Sequence, residues 1–546
     1  MSDTKHQHRS VEMSCHSKRS EEPQPIAGAE IPRFARDDNA GGVAPGSHGG
    51  WHTIREVIGG FLARHWPALV LFGVHLVLGL YYMHGRGLDM TSDPKANSWD
   101  FFWQTLPMDA MQADLWGSLW NLHAQPPLYN LYGFLIHQVY GPARHLVGLH
   151  YVQLLLGSLM CGMLYSLLKH MVQRPIVAFL AALIISLNPV IFLYEAFVLY
   201  TLLTAFLVVA ALFSLMRYCE TSKLSRLLLF ILLINTLALT RSAYHAILLV
   251  PILVLGGIIA GKRWRRFLIL ALLVCLPTLG WYAKNQVKFG FFGASSWMGS
   301  NMWRSVAADY SKKELRALHK EGVIEADAVA RKYFDPPSDF VDLGYNKTSD
   351  VDVLSRDDYN NINMIDISQM HLRNAKRLKH HDPGHYRANV AQAYRFLCKP
   401  SNETRPLTIN TRRIMPHVQV ASYLNGRKLA SALNRRFGTR FTSFYMLLIP
   451  LPLVVLVIRA LIRARFSWSE WMALIRKNAV IVTMAGLIFY VTAISCLFEY
   501  GENCRFKFSI EAVILMLTVA MCFPLRKRQR VTEADEEKKA PSRLPR

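Results

Sequence analysis

The chain has 546 residues, of which 52% are hydrophobic, and its mean hydropathy is +0.17. A soluble protein of this length seldom carries so many long apolar runs, so the composition favours an integral membrane protein over a soluble one. The net charge of +24 is compatible with nucleic-acid binding, but Lys and Arg also gather on the cytoplasmic loops of membrane proteins.

Residues 1–62 are rich in Gly, Pro, Ser, His and charge, which predicts a disordered cytoplasmic tail. The first apolar run begins near Trp66, so we expect no cleavable signal peptide. After the tail, the apolar runs approach the roughly 20 residues that a helix needs to cross about 30 Å of hydrocarbon. They predict about ten membrane-spanning helices, at 65–83, 147–168, 175–188, 195–216, 226–240, 243–260, 267–283, 443–463, 478–498 and 508–523.

The segment from Pro126 to Tyr140 is the ambiguous case for the topology. As a helix it would extend only about 22 Å, and it begins with two prolines and contains Asn130 and His137. We therefore interpret it as a helix that lies at the membrane interface. In that case the basic clusters face the cytoplasm, as the positive-inside rule requires. They include the clusters at 262–266 and 459–477 and the C-terminal tail at 526–546.

This topology predicts a multi-pass protein of the plasma (inner) membrane whose active face is the periplasm or exterior. The chain then consists of a transmembrane core at 63–284, an extracytoplasmic domain at 285–441 and C-terminal transmembrane helices at 442–525. Four regions face outward: the first outer loop at 84–146, the turn 188–195, the domain 285–441 and the turn 499–507. The domain 285–441 is soluble in composition and mixed in its secondary-structure pattern. The same placement accounts for the positive charge without nucleic acid.

The first outer loop combines carboxylates with tryptophans. Tryptophan at this depth is expected as an interfacial belt. Carboxylates beside aromatic platforms also suit sugar binding and general-base catalysis, and both interpretations stay open from these residues alone. The residues are Asp89, Asp93, Asp100, Asp109 and Asp114, with Trp99, Trp103, Trp116 and Trp120.

Three short outward-facing elements follow one another along the chain. They are Leu122-His123-Ala124-Gln125-Pro126-Pro127-Leu128-Tyr129, then Asn188-Pro189, then Glu499-Tyr-Gly-Glu-Asn-Cys-Arg-Phe-Lys. Together they resemble the His-Pro-Pro-Leu element and two later outer turns of the GT-C glycosyltransferases, such as the protein O-mannosyltransferases and lipid A aminoarabinose transferases. The chain departs from that pattern in the two residues inserted after His123, in the lack of an adjacent acidic pair in the first outer loop, and in an outer domain between predicted helices seven and eight.

The resemblance implies a membrane glycosyltransferase that moves a sugar from a polyprenyl-phosphate donor to a lipid, glycan or protein of the cell envelope. Such a transfer needs a carboxylate within about 3 Å of the acceptor's proton and cations beside the departing phosphate. The candidate base is Asp100, with Asp114 and Asp93 as alternatives.

The outward cations Arg241, Arg505 and Lys507 are the candidate phosphate ligands, because a cation at a helix end is costly unless it has a function or a partner. Their alternative role is snorkelling, or pairing with Glu195, Glu499 or Glu502. His123 and Glu502 complete the candidate substrate-binding residues, although His123 also suits a structural hydrogen bond in the loop.

No cofactor or metal is expected beyond the donor substrate. The eight cysteines have no CxxC spacing, Asp350-Val-Asp352 is a lone DxD of a kind common by chance, and no P-loop is present. A transporter or flippase of lipid-linked glycans, without chemistry, is the alternative function, and a non-catalytic binder of the same lipids is a third. The sequence does not indicate which sugar or acceptor is used.

Overall fold

A computed structural model of the chain describes residues 49–90, 98–464 and 467–523. The chain divides into two compact units, 1–62 and 63–546, and described residues of the first belong to the opening helix. Within the described ranges the regular structure is helical and contains no β-strand. Most of the predicted tail at 1–62, and all of the tail at 526–546, lie outside these ranges.

In the described part of the chain, eleven α-helices precede the domain at 285–441, which we call the polar domain. They are α1 (Gly49–Leu80), α2 (Met108–Ala113), α3 (Leu115–Asn121), α4 (Leu128–Tyr140), α5 (His145–Val172), α6 (Pro175–Ser186), α7 (Pro189–Glu195), α8 (Thr201–Thr221), α9 (Leu224–Thr240), α10 (Leu249–Ala260) and α11 (Trp264–Phe289). Helix α1 starts inside the stretch predicted to be a tail. The sequence reason is that Ile54, Val57, Ile58 and Phe61 recur at helical spacing.

The domain at 285–441 is built from short helices and loops, and its described residues include no strand, so the expected mixed pattern was wrong. Its helices are α12 (Met298–Ala307), α13 (Lys312–Lys320), α14 (Asp327–Ala330), α15 (Asp352–Ser355), α16 (Asn363–His381), α17 (Pro383–Leu397), α18 (Thr408–Arg413), α19 (Met415–Leu424) and α20 (Arg427–Phe437). The chain then continues through α21 (Tyr445–Leu448), α22 (Pro450–Ala464), α23 (Trp468–Lys477), α24 (Ala479–Phe498) and α25 (Asn503–Met521).

Six helical segments of the described chain are long and apolar enough to cross a membrane, and a seventh is added if the bent pair α6–α7 is one span. The all-α class and the presence of helices of membrane-spanning length are thus confirmed. The number of about ten crossings stays a prediction. Helix α9 is apolar but shorter, and α25 carries Arg505, Lys507 and Glu511 near its start.

The longest of the six segments, Ala246–Phe289, folds back on itself as a hairpin of α10 and α11. The hydroxyl of Tyr282 accepts a hydrogen bond from the backbone N–H of Ala246 at 3.0 Å and lies 3.1 Å from Nδ1 of His245. A straight helix would separate positions 36 residues apart by about 54 Å, so these contacts require two antiparallel helices. This agrees with the two separate spans predicted at 243–260 and 267–283.

Helices α6 and α7 meet at a bend of 50°. Asn188 caps α7 by accepting a hydrogen bond from the N–H of Val190 at 3.1 Å, and Pro189 occupies the first helical position, where its missing N–H costs nothing. The predicted outward turn at 188–195 is therefore a buried helix. His75 of α1 joins both sides of the bend: its Nε2 lies 2.7 Å from a carboxylate oxygen of Glu195, and its Nδ1 lies 3.0 Å from the carbonyl of Ser186.

The polar domain packs onto the C-terminal end of α24 and the N-terminal end of α25. Its inner layer is α12 against α16, where Gly299 touches the backbone of Ser368 so closely that a Cβ would overlap it. The hydroxyl of Tyr386 on α17 donates to the carbonyl of Leu497 at the end of α24 at 2.9 Å. This contact holds the domain against one end of the helical core.

Gly133 on α4 tests the packing of the first outer loop. A Cβ at this position would overlap the ring of Trp99, whose indole N–H is fixed by the carbonyl of Leu106 at 2.9 Å. We expect Gly133→Ala to destabilise the protein by about 1–3 kcal/mol, as overpacking of a rigid neighbour does. Thermal unfolding in detergent measures the effect. Gly280→Ala is the matched control, because nothing lies within 4 Å of its added methyl group; a comparable loss in both variants would contradict the packing argument.

Single cysteines test the predicted orientation. In a background without the natural cysteines, a cysteine in place of Lys313 in the polar domain should react with a membrane-impermeant thiol reagent added to intact cells. A cysteine in place of Lys223, between α8 and α9, should not react, because the positive-inside rule places that turn in the cytoplasm. Both positions are exposed, so the protein itself does not shield them. Labelling of residue 223 without residue 313 would invert the topology.

Candidate functional site

A cavity of about 230 Å³ opens where several helix ends meet beneath the polar domain. The start of α8, the end of α9, α12 and the neighbouring ends of α24 and α25 form its walls, together with part of the first outer loop. The lining residues are Phe102, Trp103, Gln104, Gln125, Tyr200, Arg241, Ser242, Ala243, Trp297, Asn301, Arg304, Phe334, Pro406, Glu499, Glu502, Arg505 and Phe506. Three residues of the predicted site, Arg241, Glu502 and Arg505, are thus brought together.

Arg241 is the most constrained of these side chains. It stands at the end of α9, is 2% exposed, and its guanidinium lies 4.0 Å from the ring centre of Phe506 and 5.3 Å from that of Tyr200. Both terminal nitrogens, Nη1 and Nη2, are buried without a hydrogen-bond partner in the described chain. Burial lowers the pKa of Arg241, and the nearby Arg505 lowers it further. A buried cation with unsatisfied donors is costly, so an anion is the chemical complement of this site.

Arg505 lies in the first turn of α25, where the partial positive charge of the helix end disfavours a cation. Glu502 compensates for this, with a carboxylate oxygen 3.0 Å from Nη2 of Arg505. Burial acts to lower the pKa of Arg505, but Glu502 and further partners outweigh it, and the net pKa is raised. The pKa of Glu502 is lowered, with Arg505 as the main cause. The Nε of Arg505 stays buried without a partner and adds a third unsatisfied donor.

A second ion pair, between Arg304 and Glu499, also lines the cavity. Nη1 of Arg304 on α12 lies 2.9 Å from a carboxylate oxygen of Glu499, the residue that ends α24. Burial raises the pKa of Glu499, although Arg304 opposes the shift. Three arginines and two glutamates line the cavity, so it carries one excess positive charge with all five groups ionised.

Aromatic side chains form a wall at the mouth of the cavity. The ring of Trp103 lies 6.1 Å from that of Trp297 and 4.8 Å from that of Phe334, and Trp103 is 42% exposed. The amides of Gln104, Gln125 and Asn301 line the same space. The exposed face of Trp103 beside amide donors and acceptors suits the apolar face and hydroxyl groups of a sugar.

An adjoining compartment of about 330 Å³ is mainly apolar. It shares Ser242, Ala243, Asn301, Glu499 and Phe506 with the first cavity and extends along the starts of α10 and α12 and the end of α24. Ile247 and Met298, which line it, are 67% and 46% exposed, so the compartment reaches the protein surface. A polar cavity joined to an apolar compartment fits an amphiphilic ligand.

The candidate bases of the first outer loop do not line this cavity. Asp100 accepts a hydrogen bond from the backbone N–H of Met108 at 3.0 Å, which supports the start of α2. Asp114 caps α3 by accepting from the N–H of Gly117 at 2.9 Å. Asp93 lies outside the described residues. The geometry gives Asp100 and Asp114 structural contacts, and their catalytic role stays a prediction.

His123 and Lys507 are buried away from the cavity lining. Nδ1 of His123 lies 2.8 Å from the hydroxyl of Ser296, and its backbone N–H donates to the side chain of Asn360 at 2.8 Å. Burial lowers the pKa of His123 to about 3, so the imidazole is neutral. Lys507 donates to the carbonyl of Lys399 at 2.8 Å and lies 3.4 Å from the ring centre of Tyr445. His123 thus ties the first outer loop to the polar domain, and Lys507 ties α25 to the same domain.

Sequence reasoning missed several lining residues. Gln125, one of the two inserted residues, lines the cavity, and its side-chain oxygen accepts from the hydroxyl of Ser242 at 3.0 Å. Trp297 belongs to a Gly- and aromatic-rich stretch, 289–303, and Arg304 follows it directly; the composition of this stretch is unusual but indicates no pairing. No group of three or more His, Cys, Asp or Glu that could hold a metal ion occurs in the described residues. Asp352 of the DxD pairs with Arg356 at 2.7 Å.

The unpartnered guanidinium of Arg241 leads to a prediction about thermal stability. We expect Arg241→Met to raise the thermal stability of the ligand-free protein by about 1–3 kcal/mol, because the thioether side chain packs on Phe506 and removes buried unsatisfied donors. Arg304→Met is the matched control and should be destabilised, since it leaves the buried Glu499 without its partner. Thermal unfolding in detergent distinguishes the two. Equal destabilisation would mean that Arg241 is compensated as Arg304 is.

The chain matches no protein-family model, no curated protein and no solved structure, so the site stands on its own geometry.

Proposed function

We propose that the protein is a membrane glycosyltransferase of the GT-C type, which transfers a sugar from a polyprenyl-phosphate donor to an acceptor of the cell envelope. The observation that carries the proposal is Arg241, buried at a polar–apolar boundary with both terminal nitrogens unpartnered. A phosphate would satisfy these donors and the excess charge together. Charge-assisted hydrogen bonds from arginine to phosphate are among the stronger ones in proteins.

The donor's three chemical parts correspond to three parts of the site. The phosphate binds at Arg241 and Arg505, the sugar lies against Trp103 and Trp297, and the first prenyl units enter the apolar compartment. During transfer the bond between the sugar's anomeric carbon and the phosphate oxygen breaks, and the electron pair leaves with the polyprenyl phosphate. The arginines stabilise that developing charge. The acceptor oxygen forms the new bond and gives up its proton.

Glu499 is the carboxylate placed best to accept that proton. It lines both compartments, and burial raises its pKa, which makes it a stronger base than an exposed glutamate. Both glutamates pair with an arginine, but Arg505 lowers the pKa of Glu502, whereas burial outweighs Arg304 and leaves the pKa of Glu499 raised. In this proposal Glu499 takes the role first assigned to Asp100. Because only the ionised form accepts a proton, the transfer rate should rise with pH through the raised pKa of Glu499.

One observation favours transport of a lipid-linked glycan without chemistry. The His75–Glu195 pair is an ionisable pair inside the membrane part, beside the broken helix α6–α7, and both features are common in transporters. The side chains of this pair are buried, however, at 0% and 2% exposure. His75 also hydrogen-bonds the carbonyl of Ser186, so the contacts of the pair join α1 to α6 and α7. The unsatisfied donors lie instead at the surface-connected cavity, which supports an enzyme.

Purified protein assayed with a panel of radiolabelled polyprenyl-phosphate sugars and cell-envelope extracts tests the function. We expect transfer by the wild-type protein, a loss of at least about a hundredfold in Glu499→Gln at unchanged donor affinity, and weakened donor affinity in Arg241→Gln. Asp100→Asn, which alters a loop contact, is the control and should keep most of the activity. All variants should insert and fold as judged by thermal unfolding.

The alternatives give different results in the same assay. If the wild-type protein binds the donor but does not transfer the sugar, the protein is a binder or flippase of lipid-linked glycans rather than an enzyme. Full activity in Glu499→Gln with loss in Asp100→Asn would return the base to the first outer loop. Unchanged donor affinity in Arg241→Gln would remove the phosphate site on which the proposal rests.

A further inference from the structure

A second basic cavity, of about 380 Å³, lies in the polar domain where the end of α17 meets the loop after α20. Four cations line it, namely Arg395, Lys399, Arg427 and Arg440, and no carboxylate is among its lining residues. Arg427 is neutralised by Glu403, with Nη2 3.1 Å from the carboxylate. The other three cations form no ion pair with any residue that the structure describes. The cavity therefore has about three uncompensated positive charges.

The loop that carries Arg440 is held in a defined shape. Gly438 ends α20 with a φ of 64°, a conformation that other residues adopt at a cost. The side chain of Asn434 then accepts hydrogen bonds from the hydroxyl of Thr439 at 2.6 Å and the N–H of Phe441 at 3.1 Å. Thr442 follows, and its buried hydroxyl has no partner in the described chain although it lines the cavity. An unsatisfied hydroxyl beside the cations suits a ligand oxygen.

The cavity stands at the level of the membrane surface. Arg440 precedes the apolar segment Tyr445–Ala464 by five residues, which extend at most about 17 Å. The preceding helices expose Tyr423, Leu424 and Phe437 at 67%, 70% and 65%. Cations combined with exposed apolar side chains next to a candidate membrane span are typical of surfaces that lie in the headgroup region of a bilayer.

The second cavity faces the same side of the membrane as the first. The carbonyl of Lys399, one of its lining residues, accepts the hydrogen bond from Lys507 at 2.8 Å. Lys507 follows Arg505 of the first cavity by two residues on α25. The two cavities are otherwise separate, since they share no lining residue.

We propose that the second cavity binds the phosphate of an anionic lipid headgroup, with the acyl chains running past Tyr423, Leu424 and Phe437 into the bilayer. The three uncompensated cations supply charge-assisted hydrogen bonds to the phosphate oxygens. A free anion would use the cations but not the apolar surface, so the combination favours a lipid. The inference is independent of the chemistry at the first cavity.

Titration of fluorescent phosphatidylglycerol into the purified full-length protein in detergent tests this site, with fluorescent phosphatidylcholine as the uncharged comparison. The double variant Arg395→Gln/Arg440→Gln should bind phosphatidylglycerol about 25-fold more weakly, at about fivefold per cation. The matched control Arg435→Gln/Arg436→Gln removes two exposed charges of α20 that do not line the cavity. It should change the affinity by about twofold or less.

Each other outcome overturns the proposal in a recognisable way. Equal weakening in both double variants would mean a diffuse attraction to surface charge. Equal affinity for phosphatidylcholine would remove the headgroup phosphate from recognition. Displacement by inorganic phosphate, combined with unchanged lipid affinity in Leu424→Gln/Phe437→Gln, would indicate a free-anion site. Unchanged phosphatidylglycerol affinity in Arg395→Gln/Arg440→Gln would place the lipid outside the second cavity.

Discussion

The guanidinium of Arg241 is the constraint around which the membrane core is arranged. A cation buried to this degree needs neighbours that tolerate it, and the rings of Phe506 and Tyr200 provide favourable contacts on its surface. These rings belong to the starts of α25 and α8, so the end of α9 is fixed against both helices. The two glutamates nearby are held by other arginines, at Arg304 and Arg505. Arg241 is therefore left without a carboxylate partner at the end of α9, beside a polar cavity and an apolar compartment.

Much of the helical architecture could be predicted from the apolar runs alone. Spans such as 65–83, 443–463 and 478–498 coincide with helices of sufficient length, because hydropathy over some 20 residues is a strong signal. The bend between α6 and α7 was harder to predict from the sequence. Asn188-Pro189 was recognised as an interruption, but a short helix buried on all sides has no periodic pattern that distinguishes it from a turn. The arrangement of 285–441 could not be predicted, since helices such as α14 and α15, with four residues each, are too short to give a periodic pattern.

Only part of the candidate site was predicted, and there is a physical reason why some residues could be found and others could not. Arg241, Glu502 and Arg505 could be found because charge at the end of an apolar helix is rare and costly. Carboxylates in a polar loop carry no such signal, and Asp100 and Asp114 serve as acceptors for backbone N–H groups, a common use of aspartate. The pairing of Arg304 with Glu499 joins residues almost 200 positions apart, and no local pattern reveals that they meet.

The buried pair of His75 and Glu195 has a consequence for biosynthesis. The two residues are 120 positions apart, so α1 leaves the ribosome well before its partner is made. Until α7 arrives, His75 must enter the bilayer as a neutral imidazole or wait beside other polar groups, and an ionised Glu195 would be equally costly there. The early helices are thus mutually dependent for stable insertion. Truncated chains that end before Glu195 would present an unsatisfied imidazole to lipid and become natural targets for membrane quality control.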